Sequence, residues 1–436
     1  MTTLSRISMA AVAALIVGMG PATAADLGGN CCADLEERVA ELEATTARKG
    51  TRKVSLTISG QISQQLMFWD DGIQSDVYVS GPTQSNSRWR MLGTAKISPE
   101  ITAGFLYELE AFASQSASQN QRNGSGMTVL GGSGDDAGGA ISLREAMAWV
   151  EHSRLGRVSI GHGSTAANNA ILVDLSGKGM AASNDVRLHS SGMVIAYAGG
   201  YSNATWGNFF QGSSGDWLNE RNEHIQYRTP TIAGFTLGAS WGEDNYWDVA
   251  LRYAGEFNGI RIAGALGYSV RSEYNAPADN LVCSRNCSKE LEQLAGSLSI
   301  RHMPTGLFFT GAAGDRDMSG MTHLGGQTGT TASLISSYDA SFFYLSGGIA
   351  RNFFGLGDTV IYGEYSEWKG NAQDTFTDAT SSDKLTHWGV GVVQHVDAAA
   401  MEFWLAYKNY SLSGGCDICS TAEDLHLFLA GTRIRF

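Results

Sequence analysis

Residues 56–69 read LTISGQISQQLMFW. Leu56, Ile58, Ile62, Leu66 and Phe68 fall on one parity, while Thr57, Ser59, Gln61, Ser63 and Gln65 fall on the other. A period of two marks a strand with one apolar and one polar face. The pattern returns at 247–255 (WDVALRYAG), where Trp247, Val249, Leu251 and Tyr253 oppose Asp248 and Arg252. It returns again at 261–272 (RIAGALGYSVRS), where Ile262, Leu266, Tyr268 and Val270 oppose Arg261, Ser269 and Arg271. Segments of about ten residues built this way suit a water-filled barrel in lipid. A soluble sandwich alternates equally well with its polar face outward, so other features must choose between the two.

Export is the first of these features. Residues 1–24 carry Arg6, the apolar run MAAVAALIVGMG (9–20) and the small-residue site Ala22-Thr23-Ala24, which places signal cleavage between Ala24 and Ala25. That run is too short to span a membrane as a helix, and no apolar stretch of about 18 residues follows it. Membrane entry would therefore require a closed barrel, because only helices and barrels satisfy their backbone in lipid. Composition agrees: charged residues are 17%, against about a quarter in soluble domains. With 54 Gly and 6 Pro, the chain is polar, weakly charged and rich in turns. Loss of Arg6 with the signal leaves 29 basic and 43 acidic residues, a formal −14. Such acidity argues against nucleic acid as a partner.

The second feature is DLHLFLAGTRIRF (424–436). Phe428, Ala430, Thr432, Ile434 and Phe436 share one face, Arg433 and Arg435 share the other, and no polar tail follows. Leu425, Leu427 and Leu429 lie on the lumen parity, so the upper part of this strand reads as buried on both sides. The third feature is the alternation of short connections, such as 256–260 and 303–306, with long polar ones, such as 114–140, 164–190 and 315–336. Outer-membrane barrels have this rhythm of short periplasmic turns and long external loops, and the count comes to about sixteen strands. Segment 191–219 is either part of a long inward-folded loop or two further strands, which would make about eighteen. The expected fold class is all-β: a transmembrane antiparallel β-barrel over 53–436, preceded by a signal peptide at 1–24 and a periplasmic segment at 25–52.

The chain resembles the outer-membrane general porins, most closely the alphaproteobacterial group. The resemblance rests on DLEERVAELEATTARKGTRKVSLTISGQI (34–62), YRTPTIAGFTLG (227–238), VGVVQHVDAAAMEFWLAYKNYS (390–411) and Phe436. It implies a homotrimer seated in outer-membrane lipid and lipopolysaccharide, passing small hydrophilic solutes by diffusion without catalysis or cofactor. It also implies that Phe436 is read by the outer-membrane insertion machinery. Ala25-Asp26 fits a covalent link from the N-terminal amine to peptidoglycan. A substrate-specific pore, or a tether between outer membrane and cell wall, are the alternative readings.

Between signal and barrel, Cys32, Leu35, Val39, Leu42 and Thr46 recur at 3-4 spacing among charged residues, which predicts about two heptads of coiled coil. An amphipathic helix packed under the barrel fits the same spacing. The cysteines of an exported protein are expected to pair, and local bridges Cys283–Cys287 and Cys416–Cys419 are the simple arrangement. Cys31 and Cys32 adjoin one another and are left for bridges between protomers. Zinc is not expected, because neither pair adjoins a βαβ pattern. GGSGDD (131–136) occurs once and reads as an external loop, and GHGST (161–165) is no catalytic pair.

A pore works at its narrowest point, where fixed charges act across a poorly screened gap. In SRWRMLGTAKI (87–97), outward Trp89, Met91, Ala95 and Ile97 put Arg88, Arg90 and Lys96 in the lumen. In LREAMAWVEH (143–152), alternation puts Leu143, Met147 and Trp149 outward and Arg144 inward, with Glu145 facing lipid near a rim. LREAMAW resembles the porin strand that carries a lumen arginine. Glu108 and Glu110 point inward, and the third loop (165–191) offers Asp174 and Asp185, which the resemblance sets across the pore from the arginines. The basic wall is thus Arg88, Arg90, Lys96 and Arg144, and the acidic side is Asp174, Asp185, Glu108 and Glu110. The formal −14 favours cations and the basic wall partly opposes it, which predicts a weak cation preference.

Overall fold

The computed structural model describes residues 53–124, 140–209, 217–218, 221–243, 245–272, 290–319, 337–370, 383–415 and 418–436. The signal segment with Ala24 and Ala25, the heptads with Cys31 and Cys32, the pair Cys283 and Cys287, and Cys416 lie outside these residues. Cys419 lies within them and is disulfide-bonded.

The strands are β1 (Ser55–Asp70), β2 (Ser75–Ser80), β3 (Arg88–Lys96), β4 (Ile101–Phe112), β5 (Ala140–His152), β6 (Gly156–Ser164), β7 (Val194–Tyr197), β8 (Gly200–Thr205), β9 (Arg221–Arg228) and β10 (Phe235–Gly242). They continue as β11 (Trp247–Phe257), β12 (Ile260–Arg271), β13 (Glu290–His302), β14 (Leu307–Ser319), β15 (Ser337–Arg351), β16 (Thr359–Gly370), β17 (Asp383–Val396), β18 (Met401–Gly414) and β19 (Leu425–Arg435). Neighbours pair antiparallel, and β1 pairs with β19, which closes the sheet and leaves no edge. β2 and β3 both pair with β1, along Gln65–Asp70 and Ser55–Gln61 respectively, so they fill a single position in the wall. β7 and β8 form a separate two-stranded sheet. Among the described residues the wall therefore has sixteen strand positions. The eighteen-strand alternative fails for a geometric reason: at about 3.3 Å per residue, β7 and β8 are too short to cross an apolar band about 25 Å tall.

Burial runs in the opposite sense to a soluble sandwich. On β1, Ile62 and Leu66 are 53% and 44% exposed, whereas Ser63 and Gln65 on the other parity are 0% and 3% exposed. The same inversion holds on β11, where Val249 and Leu251 are exposed and Asp248 is buried. An outer surface of this kind is stable only against hydrocarbon. The short turns are built for their strands. Asn258 and Gly259 alone connect β11 to β12, with φ of 49° and 76°. Left-handed geometry at both positions gives a turn whose twist matches the flanking strands, which is why Asn-Gly stands there.

One facing expectation needs correction. The β4–β5 ladder shifts between Glu108 and Leu109: Glu108 opposes Glu145, Leu109 opposes Leu143, and Arg144 is the extra residue. A bulge of this kind reverses the parity of everything beyond it. Met147 and Trp149 therefore face the lumen rather than lipid. Met147 is buried, and Trp149 lies under the Arg157 guanidinium at 4.1 Å. Glu145 also turns inward and accepts a 2.6 Å hydrogen bond from Ser164. On β19, Leu425, Leu427 and Leu429 are buried on the lumen side, and Phe428 on the lipid-facing side is 44% exposed, as Leu66 is on β1.

Candidate functional site

The segment from Thr165 to Phe209, between β6 and β9, is packed along the inner wall. Its backbone needs partners wherever it leaves water, and lumen side chains supply them. Ser240 on β10 accepts from the Ala166 amide at 2.7 Å, and Asp248 on β11 from Ala167 at 2.8 Å. Ser297 and Ser299 on β13 accept from Val173 and Leu175, both at 3.0 Å. Further on, His395 on β17 bonds the Gly177 carbonyl at 3.0 Å, and the Tyr410 hydroxyl on β18 donates to the Val186 carbonyl at 3.0 Å. The segment thus follows the wall from β10 round to β18.

The space between the segment and the wall is packed. Trp217, Phe342 and Trp368 pack together, with Phe342 stacked on Trp368 at 4.4 Å. Lys408 is ion-paired with Glu364, both fully buried, and the Tyr344 hydroxyl donates to Glu364 at 2.7 Å. His189, in the single helical turn Val186–His189, is also fully buried, and neither ring nitrogen has a hydrogen-bond partner among the described residues. Burial, reinforced by the Lys408 ammonium, pushes the His189 imidazole well below its usual range, so it stays neutral at pH 7.

The predicted arginines converge on the strands that the segment leaves bare. Arg88 and Arg90 on β3 reach Glu108 on β4, Arg88 at 3.2 Å and Arg90 through Nε at 2.7 Å. Arg144, carried inward by the bulge, meets Glu108 at 2.8 Å and is also ion-paired with Glu110. Glu108 and Glu110 therefore stand on the same wall as the three arginines, interleaved with them. Lys96 shares the β3 face but lies six residues below Arg90, roughly 20 Å along the strand, and takes no part in the cluster.

Barrel closure adds two residues that the sequence reading left out of the site. Arg433 and Arg435 on β19 share Glu402 of β18, at 2.7 and 2.9 Å. Arg433 and Arg88 both approach the Ser85 hydroxyl, at 3.4 and 2.9 Å, which joins the two groups. Their inward parity was visible in 424–436; what was missing was the pairing of β19 with β1, far apart in sequence. Five guanidiniums now face three carboxylates. Between them opens a cavity of about 270 Å³, lined by Arg88, Arg90, Glu108 and Arg435.

Asp174 and Asp185 lie on the inward segment and are paired there. Asp174 accepts from Lys178 at 3.1 Å, from the Ser176 hydroxyl at 2.7 Å and from Thr310 on β14 at 3.0 Å. Burial opposes its ionisation, but the Lys178 ammonium and the Ser176 bonds outweigh it and hold the carboxyl below its usual range. Asp185 is held by Arg187 at 2.7 and 2.8 Å.

A family model for Gram-negative porins matches residues 11–424. Comparison with curated proteins gives no match. Among solved structures, the chain is similar to the anion-selective porin from Comamonas acidovorans, with 14% identity, a TM-score of 0.54, and coverage of 88% of this chain and 100% of that one. It is similar to OmpF of Salmonella typhi in complex with daunomycin, at 13% identity, TM-score 0.55 and coverage of 88% and 98%. The trimer form of OmpT from Vibrio cholerae gives 11% identity, TM-score 0.50 and coverage of 88% and 99%. At these identities the likeness is one of fold.

Proposed function

The chain belongs to the Gram-negative porin family, and on that premise we propose how this outer-membrane diffusion channel is built and what it favours. It is a channel rather than an enzyme. The observation that carries the reading is the closed barrel with apolar residues outside and hydrogen-bonded polar residues inside. Solutes pass between segment 165–209 on one side and the arginine cluster of β3, β5 and β19 on the other. That gap is the constriction. Its basic side is Arg88, Arg90, Arg144, Arg433 and Arg435, tempered by Glu108, Glu110 and Glu402. Asp174 and Asp185 contribute little field there because Lys178 and Arg187 neutralise them. The local excess of guanidinium supports a weak anion preference, opposite in sign to the weak cation preference expected from the sequence.

The working form is a homotrimer, a reading supported by the trimer form of OmpT, which shares the fold, and by the heptads at 32–49. Residues 1–24 are the signal, 25–52 the periplasmic segment and 53–436 the barrel, with Phe436 read by the insertion machinery and Ala25 available to peptidoglycan. Planar-bilayer recording of the refolded trimer tests the core of the proposal. Stepwise conductance that rises in proportion to KCl concentration is expected, and a purified, folded trimer that inserts without conducting would refute it.

A further inference from the structure

A second cavity, of about 250 Å³, lies where segment 165–209 leaves β6 and crosses β9 to β11. It is lined by Thr165, Asn169, Gln226, Arg228, Thr236 and Arg252, among others. Three arginines stand in this part of the wall. Arg157 on β6 lies directly across the ladder from Arg228 on β9, an unfavourable like-charge pairing. Arg157 is relieved by Glu151, at 2.9 Å through Nε. Arg252 on β11 is committed to the segment's backbone, donating to the Ala166 carbonyl at 3.1 Å and to that of Asn168. Arg228 is exposed in the cavity, and among the described residues it has neither a hydrogen bond nor an ion pair from its side chain. Gly238 on β10 lies between the two arginine-bearing strands, opposite Arg228. A Cβ there would stand 3.1 Å from Ala166, so glycine keeps the floor of the cavity open.

We propose that this cavity is a binding subsite for a small oxyanion, with Arg228 holding the anionic group and the amides of Asn169 and Gln226 and the Thr236 hydroxyl meeting neighbouring hydroxyls. A guanidinium presents a planar fork that matches carboxylate and phosphate alike. The volume suits a solute no larger than a hydroxylated carboxylic acid or a phosphate monoester, since drug-sized pockets begin near 300 Å³. The inference rests on the channel reading, and it goes beyond free diffusion: solutes of this class dwell at the subsite on their way through.

The test is current block in planar bilayers, with inorganic phosphate, gluconate and the neutral polyol erythritol added separately to a KCl bath. Saturable block by phosphate or gluconate, and none by erythritol, is expected; the tighter of the two anions identifies phosphate or hydroxy-carboxylate as the source. Losing a hydrogen bond to a charged group costs at least about 1.5 kcal/mol, so Arg228→Gln should raise the half-blocking concentration roughly tenfold or more. Arg228→Lys, which keeps the charge, should recover part of that loss. Arg261→Gln, which removes a charge paired with Glu256 at 3.0 Å elsewhere in the barrel, should leave KCl conductance and block unchanged. A channel that conducts KCl without saturable block by either anion would overturn the subsite and leave the porin reading standing. An equal shift in Arg228→Gln and Arg261→Gln would also overturn it, and absence of KCl conductance would overturn both.

Discussion

Replacing His189 by Phe should weaken an acid-induced loosening of the inward segment. The native imidazole is fully buried, and its charged form faces Lys408, Glu364 and His387 on the wall, with Asp185 and Arg187 on its own segment. Its folded pKa is depressed below 6.5. Below pH 6.5 the undocked segment therefore binds a proton that the docked one refuses, and docking weakens as pH falls. The slope approaches about 1.4 kcal/mol, or tenfold in the docking equilibrium, for each pH unit below 6.5 over which the docked imidazole stays neutral. Asp174 acts in a separate window: its pKa is held below the ordinary 3.8, so its contribution is intact above that value and is lost only in stronger acid. The assay is single-channel recording at 1 M KCl from pH 7.5 to 4.5, with hydrogen exchange of 186–196 as a second readout. The native channel should become noisier and exchange faster below pH 6.5, and the response should be clearly smaller in His189→Phe. The same acid response in both proteins would refute the assignment to His189.

Other perturbations address other parts of the molecule. Arg433→Gln with Arg435→Gln removes two positive charges; at roughly 10 Å from a passing ion each is worth about 0.3 kcal/mol in 0.01 M salt, so the anion-to-cation permeability ratio should fall severalfold there and hardly change at 1 M. A reversal potential unmoved at low salt would place the constriction elsewhere. Lys408→Met strands Glu364 in the interior and should destabilise the barrel by about 3–5 kcal/mol, whereas Lys408→Met with Glu364→Leu should be near neutral; thermal unfolding in detergent reads both. Deleting Phe436 removes its two backbone bonds to Gly60, at 2.9 and 3.1 Å, from the β1–β19 seam, and should lower outer-membrane yield; normal yield would count against it. Leu35→Asp with Leu42→Asp should lower the melting temperature of the trimer while the monomer remains folded, and an unchanged trimer transition would remove the coiled coil.

The barrel was legible because its signal is repeated: each strand states the same inside–outside rule, and an error in one does not propagate to the next. The site was legible strand by strand but not across strands. Arg88 and Arg90 followed from the parity of Trp89 and Met91, with no interruption in β3. The parity of β5 failed past Arg144 because a bulge adds one residue to one side of a ladder, and no residue type is reserved for it. The awkward result of Glu145 facing lipid was the trace that the bulge left in the sequence. Arg433 and Arg435 were visible as inward residues, yet their neighbours depend on closure between chain positions some 370 residues apart. The roles of Ser240, Ser297 and Ser299 had no local signal, since an alternating serine reads as solvated until something lies against it.

The sign of a pore's selectivity depends on where charges sit rather than on their sum. Here the inward segment brings its own cations: Lys178 answers Asp174, and Arg187 answers Asp185. The opposite wall was assembled with an excess, because β3, β5 and β19 supply five guanidiniums and β4 and β18 only three carboxylates. The remaining acidity of the chain lies elsewhere, for example on the outer face of β13 to β15, where Glu292, Asp317 and Asp339 stand directly opposite one another. Such charges are screened within about 10 Å at 0.1 M salt, and the barrel wall stands between them and the path. With the constriction proposed above, a net formal charge of −14 encloses a pore whose narrowest part is positive, and the carboxylates on the arginine wall keep the proposed preference weak.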